Sequence, residues 1–183
     1  MNGRTFVALI ILYGVLRASS YGGEKPELSQ DDLTQFTPIS KGVKQAKTLT
    51  LYEGLPHQRW ERKLLEQELE TKETVRIHDW PFCERSLPIE EADVKRLRGL
   101  SANPESYWSF REEKLCGGYH PDYCLAWTDG EVEYHLLICL GCHEMKLYGP
   151  DQNLRVDIRD DAYKQFKEMI TKYRDQRPEL KLE

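Results

Sequence analysis

The side chains best suited to chemistry are two thiols and an imidazole in the run Cys139-Leu-Gly-Cys142-His143, with Cys116, His120 and Cys124 shortly upstream. Three chemistries suit these types. As thiolates, Cys139 and Cys142 could hold a metal ion together with Cys116 and His120, and soft sulfur with imidazole suits zinc. The spacing Cys116-x3-His120-x18-Cys139-x2-Cys142 approaches the ribbon pattern, although its first ligand pair is mixed and separated by three residues. The same five residues are a literal c-type haem attachment sequence. Cys139 and Cys142 would carry the thioethers and His143 would be the axial ligand, with His120 or Met169 on the far side. The third chemistry is structural: a Cys139–Cys142 bridge, or longer-range disulfides, would staple the domain without any cofactor. A thioredoxin-like redox site would need a helix after the cysteine pair, whereas Met145-Lys-Leu-Tyr148 alternates like a strand.

Which chemistry is geometrically open depends on the flanking strands. Side chains alternate faces along a strand, so Tyr134, Leu136 and Ile138 share one side and His135, Leu137 and Cys139 the other. On a straight strand Cys139 and Cys142 would point apart. Their sulfurs converge only if the chain reverses between them, and Leu140-Gly141 is the expected turn, with Cys139 facing Cys142 across it. Haem attachment prefers its two cysteines and histidine on a helical turn, which strand-like flanks do not favour.

The elements around this turn follow from periodicity. Residues 47–52 and 74–78 alternate as strands, and Trp60, Leu64, Leu65 and Leu69 form one face of a helix over 58–69. A second helix covers 89–100, with acids in its first turn and bases in its second half. Strands follow at 123–128, 132–139 and 142–148. Asp129-Gly130 is a hairpin signal between the first two, and Leu154–Ile158 adds a short strand. Asp160 or Asp161 caps a last helix over 162–174, whose buried stripe is Ala162, Phe166, Met169, Ile170 and Tyr173. The fold class is α+β: a mostly antiparallel sheet with about three helices packed on one face.

Residues 1–20 read as an export signal, with Arg4, an apolar run from Phe6 to Leu16 and small residues at Ala18-Ser19-Ser20. Arg17 cuts this run short of the ~20 apolar residues that span a bilayer, so no stable membrane insertion is expected after cleavage. Residues 21–45, polar with Gly22-Gly23, Pro26 and Pro38, read as a flexible arm, 46–177 as a single domain, and 178–183 as a tail. The net charge of −5 becomes more negative once the signal and its two arginines are removed, which argues against a nucleic-acid partner. Export favours oxidised, metallated or haem-linked thiols, and an odd count of five cysteines leaves at least one outside any internal pairing.

The motifs Leu51-Tyr-Glu-Gly-Leu-Pro-His57, Trp80-Pro-Phe82, Cys116-Gly-Gly-Tyr-His-Pro-Asp122 and Ile138-Cys-Leu-Gly-Cys-His-Glu144 resemble those of a family of uncharacterised exported bacterial proteins of planctomycete type, over residues 48–175. The resemblance implies a class and no mechanism. It matches Cys116, His120, Cys139, Cys142 and His143. Cys83 and Cys124 stand where the family would have tyrosine and alanine, so the resemblance implies a Cys83–Cys124 disulfide. It leaves Cys116, Cys139 and Cys142 with His120 as a Cys3His set.

Other polar residues have more ordinary roles beside functional ones. His57 could join a site made from several loops, or cap a helix or pack on an aromatic neighbour. His78 and Asp79, adjacent on a strand, face apart and make a poor acid/base pair. His135 is a cross-strand neighbour or stands behind a metal ligand. Asp122 could orient His120 or serve the turn after Pro121, and Glu144 could receive a ligand histidine or lie in solvent. No catalytic residue is assigned. The leading expectation is an exported, non-catalytic binding or structural module with a zinc site. A mono-haem electron carrier is the alternative, and a disulfide-stapled domain without cofactor the second alternative. A hydrolytic zinc site with an open position lacks an evident general base.

Overall fold

Alternation along four consecutive strands divides the molecule into two unlike halves. The computed structural model describes residues 26–115 and 117–177, so the expected signal (1–20), the tail (178–183) and Cys116 lie outside the described residues. Strands β5 (Tyr123–Asp129), β6 (Val132–Cys139), β7 (Glu144–Gly149) and β8 (Gln152–Ile158) form a meander. With β1 (Thr50–Glu53) and β4 (Tyr107–Ser109) they make a six-stranded antiparallel sheet in the order β1-β5-β6-β7-β8-β4. Gly130 (φ 64°) supplies the left-handed residue of the two-residue turn between Asp129 and Val132.

On one face Leu125, Leu136, Ile138, Met145, Leu147 and Val156 meet helices α1 (Gln30–Gln45), α3 (Glu91–Ser101) and α4 (Asp160–Thr171) in the main apolar core. The opposite face carries Cys124, Leu137 and Cys139. It is covered by a two-stranded hairpin, β2 (Thr74–Ile77) and β3 (Trp80–Cys83), and by the loop that runs from residue 110 to 122. The fold is thus α+β, as expected, with four α-helices among the described residues.

The helices differ from expectation in two places. Residues 30–45, expected within a flexible arm, form α1. Ser29 and Asp32 close a capping box at its start, and Phe36, Ile39 and Val43 are buried against the sheet. Pro38 removes one internal hydrogen bond and masks the helix in the sequence, but burial of the apolar stripe outweighs that loss. Helix α2 (Arg62–Thr71), expected to bury Trp60 and Leu69, instead leaves them 63% and 47% exposed, and its only buried residue is Glu68. The three helices of the apolar layer are therefore α1, α3 and α4. The expected Asp160 or Asp161 cap of α4 is not used: Arg159 is the N-cap, without a side-chain bond, and both aspartates lie in the first turn.

Helix α1 is part of the folding unit, so Phe36→Ala is expected to cost about 3–5 kcal/mol in chemical denaturation. Leu69→Ala on α2 should stay within about 0.5 kcal/mol of the parent. Equal small effects would contradict this assignment of the core.

Candidate functional site

The reversal between β6 and β7 is a four-residue turn. Cys139 pairs directly with Glu144, and Leu140 to His143 make the loop. A turn between the cysteines is therefore present, but Cys142 sits inside it and not on the returning strand opposite Cys139. The left-handed residue is His143 (φ 55°), a conformation its sequence does not advertise. Neighbours on both faces of the sheet fix the loop. Leu140 N donates to Asp122 Oδ2 at 2.7 Å, Tyr163 OH to the Leu140 carbonyl at 3.0 Å, and Ile158 N to the His143 carbonyl at 2.8 Å.

The cysteines of the motif are in different states. Cys142 is disulfide-bonded, whereas Cys139 is a free thiol, 2% exposed. The Cys142 amide donates to Cys139 Sγ at 3.2 Å, and Cys142 Sγ lies 3.6 Å from the Gly118 carbonyl. Burial pushes the Cys139 thiol up to about 11, so it is neutral at ordinary pH. His143 points elsewhere: its ring stacks on Tyr163 of α4, with centroids 3.6 Å apart. Met169 is buried in the helix-side core.

The bridge implied between Cys83 and Cys124 is not formed, and both are buried free thiols. Their surroundings explain it. Cys124 pairs across the sheet with Tyr52 in an apolar cluster, while Cys83 lies in the field of Lys72, Glu53 and Glu68. Cys83 belongs to the covering hairpin, paired with Thr74, and Cys124 to the central sheet.

Around His120 a polar cluster gathers from three segments. His120 Nε2 donates to the Leu55 carbonyl at 2.8 Å, and its ring lies 4.7 Å from that of His57. The bare Nδ1 is 3.9 Å from Asp122 Oδ1, so Asp122 does not hydrogen-bond the ring. The carboxylate instead receives Arg177 Nη1 at 2.6 Å, and Arg177 Nη2 reaches Glu61 Oε2 at 2.9 Å. His57 Nδ1 accepts the Arg59 amide at 3.0 Å, the capping role open to it. Burial lowers the pKa of both His57 and His120. Arg177 carried no sequence signal, because its partners Asp122 and Glu61 are more than fifty residues away.

Beyond the turn, Glu144 is neither solvated nor bonded to a histidine. It is fully buried, accepts Arg155 Nη2 at 2.6 Å, and lies beside Asp157 on β8. Lys114, from the covering loop, reaches Asp157 Oδ1 at 2.9 Å, and Arg155 also binds Glu113. Burial raises the Glu144 pKa. This charge cluster secures one end of the covering loop. At the other end of the face the β2–β3 turn carries His78 (φ 53°), stacked on Tyr148 at 3.5 Å and edge-on to His135 at 5.1 Å. His78 and Asp79 are therefore turn residues and not strand neighbours. Beside them runs an open groove of about 490 Å³ lined by Thr50, Tyr52, Arg76, His78, Thr128 and His135.

The four expected zinc ligands thus include one disulfide-bonded sulfur, one neutral buried thiol, one imidazole engaged with a carbonyl, and Cys116, outside the described residues. Among the described residues no three His, Cys, Asp or Glu side chains are placed to share a metal ion. No family model matches this chain, and no curated protein or solved structure matches it.

His57, His120, His78 and His135 all have folded pKa values lowered chiefly by burial. The unfolded chain therefore takes up protons first as pH falls through about 6.5, and stability drops there. The urea midpoint is expected to fall between about pH 7.5 and 5.5, and His120→Gln should shrink that fall. A midpoint that holds or rises over this interval would contradict the buried-imidazole account.

Proposed function

We propose that the chain is an exported, non-catalytic structural and binding module, with its Cys/His turn serving as a staple and not as a cofactor site. The observation that carries this reading is the disulfide at Cys142 beside a neutral, buried Cys139. The zinc set would require Cys142 to be reduced, Cys139 to ionise and His120 to leave the Leu55 carbonyl. The haem set would require His143 to leave Tyr163 and turn toward two sulfurs on the other side of the sheet. A staple requires no rearrangement. It adds a covalent tie at the cysteine turn, and removing a disulfide typically costs about 2–5 kcal/mol. Localisation outside the cytoplasm rests on the signal read in residues 1–20 and agrees with an oxidised sulfur. The binding half of the reading rests on the groove. Its volume is in the range of ligand sites, and its hydroxyls, imidazoles and Arg76 guanidinium suit a polar, hydrogen-bonding ligand.

Counting thiols tests the reading. Exported protein, unfolded in denaturant with an alkylating reagent and no reductant, should gain three adducts, on Cys83, Cys124 and Cys139. Reduction should raise the count to the full five, Cys142 among those released. Five adducts before reduction, with about one zinc per chain by elemental analysis, would overturn it in favour of the metal site. Fewer than three would overturn the assignment of the free thiols.

A further inference from the structure

The hairpin that covers the Cys face has one closed edge and one open edge. On the β3 side, Phe82 makes a bridge to Gly54, so that edge is occupied. On the β2 side, the ladder's parity decides which backbone groups are left over. Hydrogen-bonded and non-hydrogen-bonded pairs alternate along an antiparallel ladder. The Glu84 amide donates to the Glu73 carbonyl, so Thr74 with Cys83 and Arg76 with Pro81 are the non-hydrogen-bonded pairs. Pro81, which has no amide to give, stands where this parity requires it. Thr74 and Arg76 therefore direct their backbone N–H and C=O groups away from β3. Both residues are exposed, and among the described residues no backbone partner or third strand meets these groups. Sheet edges are commonly blunted by proline, a bulge or a covering segment. Here Arg76, the one charged side chain of β2, bends back to the Asp79 carbonyl at 2.7 Å and leaves the edge uncovered.

This open edge is one wall of the groove described above. The floor is the outer face of the large sheet. Thr50, Ala126 and His135 stand side by side in one row of the register, with Thr128 and Glu133 in the next.

We propose that the groove receives an extended peptide segment of a partner protein, which adds to β2 as a third strand. The inference deepens the binding half of the proposed function, and rests on it, by naming the ligand class. In an antiparallel strand placed there, the residues beside Arg76 and Thr74 each exchange two backbone hydrogen bonds with β2. The residue between them lies beside Val75, which packs toward the sheet, and so turns its own side chain to the floor. Thr50 and Ala126 leave room there for a small β-branched residue. The two bonding residues present their side chains on the side of Arg76, and its guanidinium favours a carboxylate among them. A second copy of the chain does not fit. Pairing β2 with β2 would bring that copy's own sheet into the space the floor already fills.

The test is to select random heptapeptides displayed on phage against the folded, exported full chain, then to measure the selected peptides as synthetic compounds. In the free protein the Val75 and Ile77 amides should exchange slowly and those of Thr74 and Arg76 fast. Bound peptide should slow Thr74 and Arg76 and shift the signals of Thr50 and His135. N-methylation of the peptide's two bonding amides should weaken binding at least about tenfold. Arg76→Pro should do the same, because it removes an outward N–H and none of the hairpin's own hydrogen bonds. If that variant does not fold, the N-methylated peptide decides. Failure to enrich any peptide, or binding that leaves Thr74 and Arg76 exchange unchanged, would overturn the proposal. Peptides that shift Thr50 and His135 yet tolerate N-methylation would overturn the added strand and leave the groove a ligand site. Thiol counting on the same preparation reports the staple separately: five adducts before reduction would overturn that half of the reading and leave the peptide result standing.

Discussion

Asp122 is the point at which the hairpin-covered half of this molecule is tied together. Its backbone amide donates to the Ile138 carbonyl and its carbonyl accepts the Gly54 amide, both at 2.8 Å, so it joins the ends of β1 and β6. One carboxylate oxygen holds the first amide of the cysteine turn, and the other holds Arg177 from the end of the described chain. Hydrogen bonds to a charged group contribute about 1.5–3 kcal/mol each when shielded, and both of these are largely shielded. With the Leu140 amide fixed, Cys139 is held under Tyr119 and His143 is turned to the helix side. The different states of the motif's cysteines and histidine follow from where this one side chain anchors the loop.

A second constraint is electrostatic. Glu144 and Asp157 face each other on adjacent strands with almost no exposure, and two carboxylates so placed repel unless cations accompany them. Arg155 comes from the sheet itself, but Lys114 comes from the covering loop. The loop is thus needed to neutralise the sheet, and the sheet to order the loop. Phe110 reinforces the arrangement, lying under the Arg155 guanidinium at 3.9 Å. Burying this cluster is expensive, and its return is specificity: it selects one seat for the segment that carries Tyr119 and His120 across the Cys face.

The sequence was most informative where structure is local. Alternation in 123–148 identifies the meander, but the reversal expected at Leu140-Gly141 takes residues 140–143, so Cys142 does not face Cys139 from the returning strand. The position of Cys142 was not legible, because it depends on a left-handed His143 and not on the glycine that normally signals such a bend. Helix α1 was concealed by Pro38 and by a sparse apolar stripe whose value appears only once the sheet is beside it. Glu144, Asp157 and Lys114 look like solvated charges one at a time. Their burial is a property of three segments meeting, which no window of sequence contains. The Cys83–Cys124 pair was implied by the resemblance alone, and both are free thiols on different sheets, Cys83 on β3 of the hairpin and Cys124 on β5.

The account stands or falls on the oxidation states of two sulfurs three residues apart in one turn. The Cβ chemical shifts of Cys139 and Cys142, measured by NMR on isotopically labelled, exported protein near neutral pH, report each state separately. The account predicts a shift in the oxidised range for Cys142 and in the reduced thiol range for Cys139, with the Cys142 signal moving to the reduced range on addition of a strong reductant. Two reduced-type shifts in the untreated protein, or two that move together on addition of a zinc chelator, would contradict it.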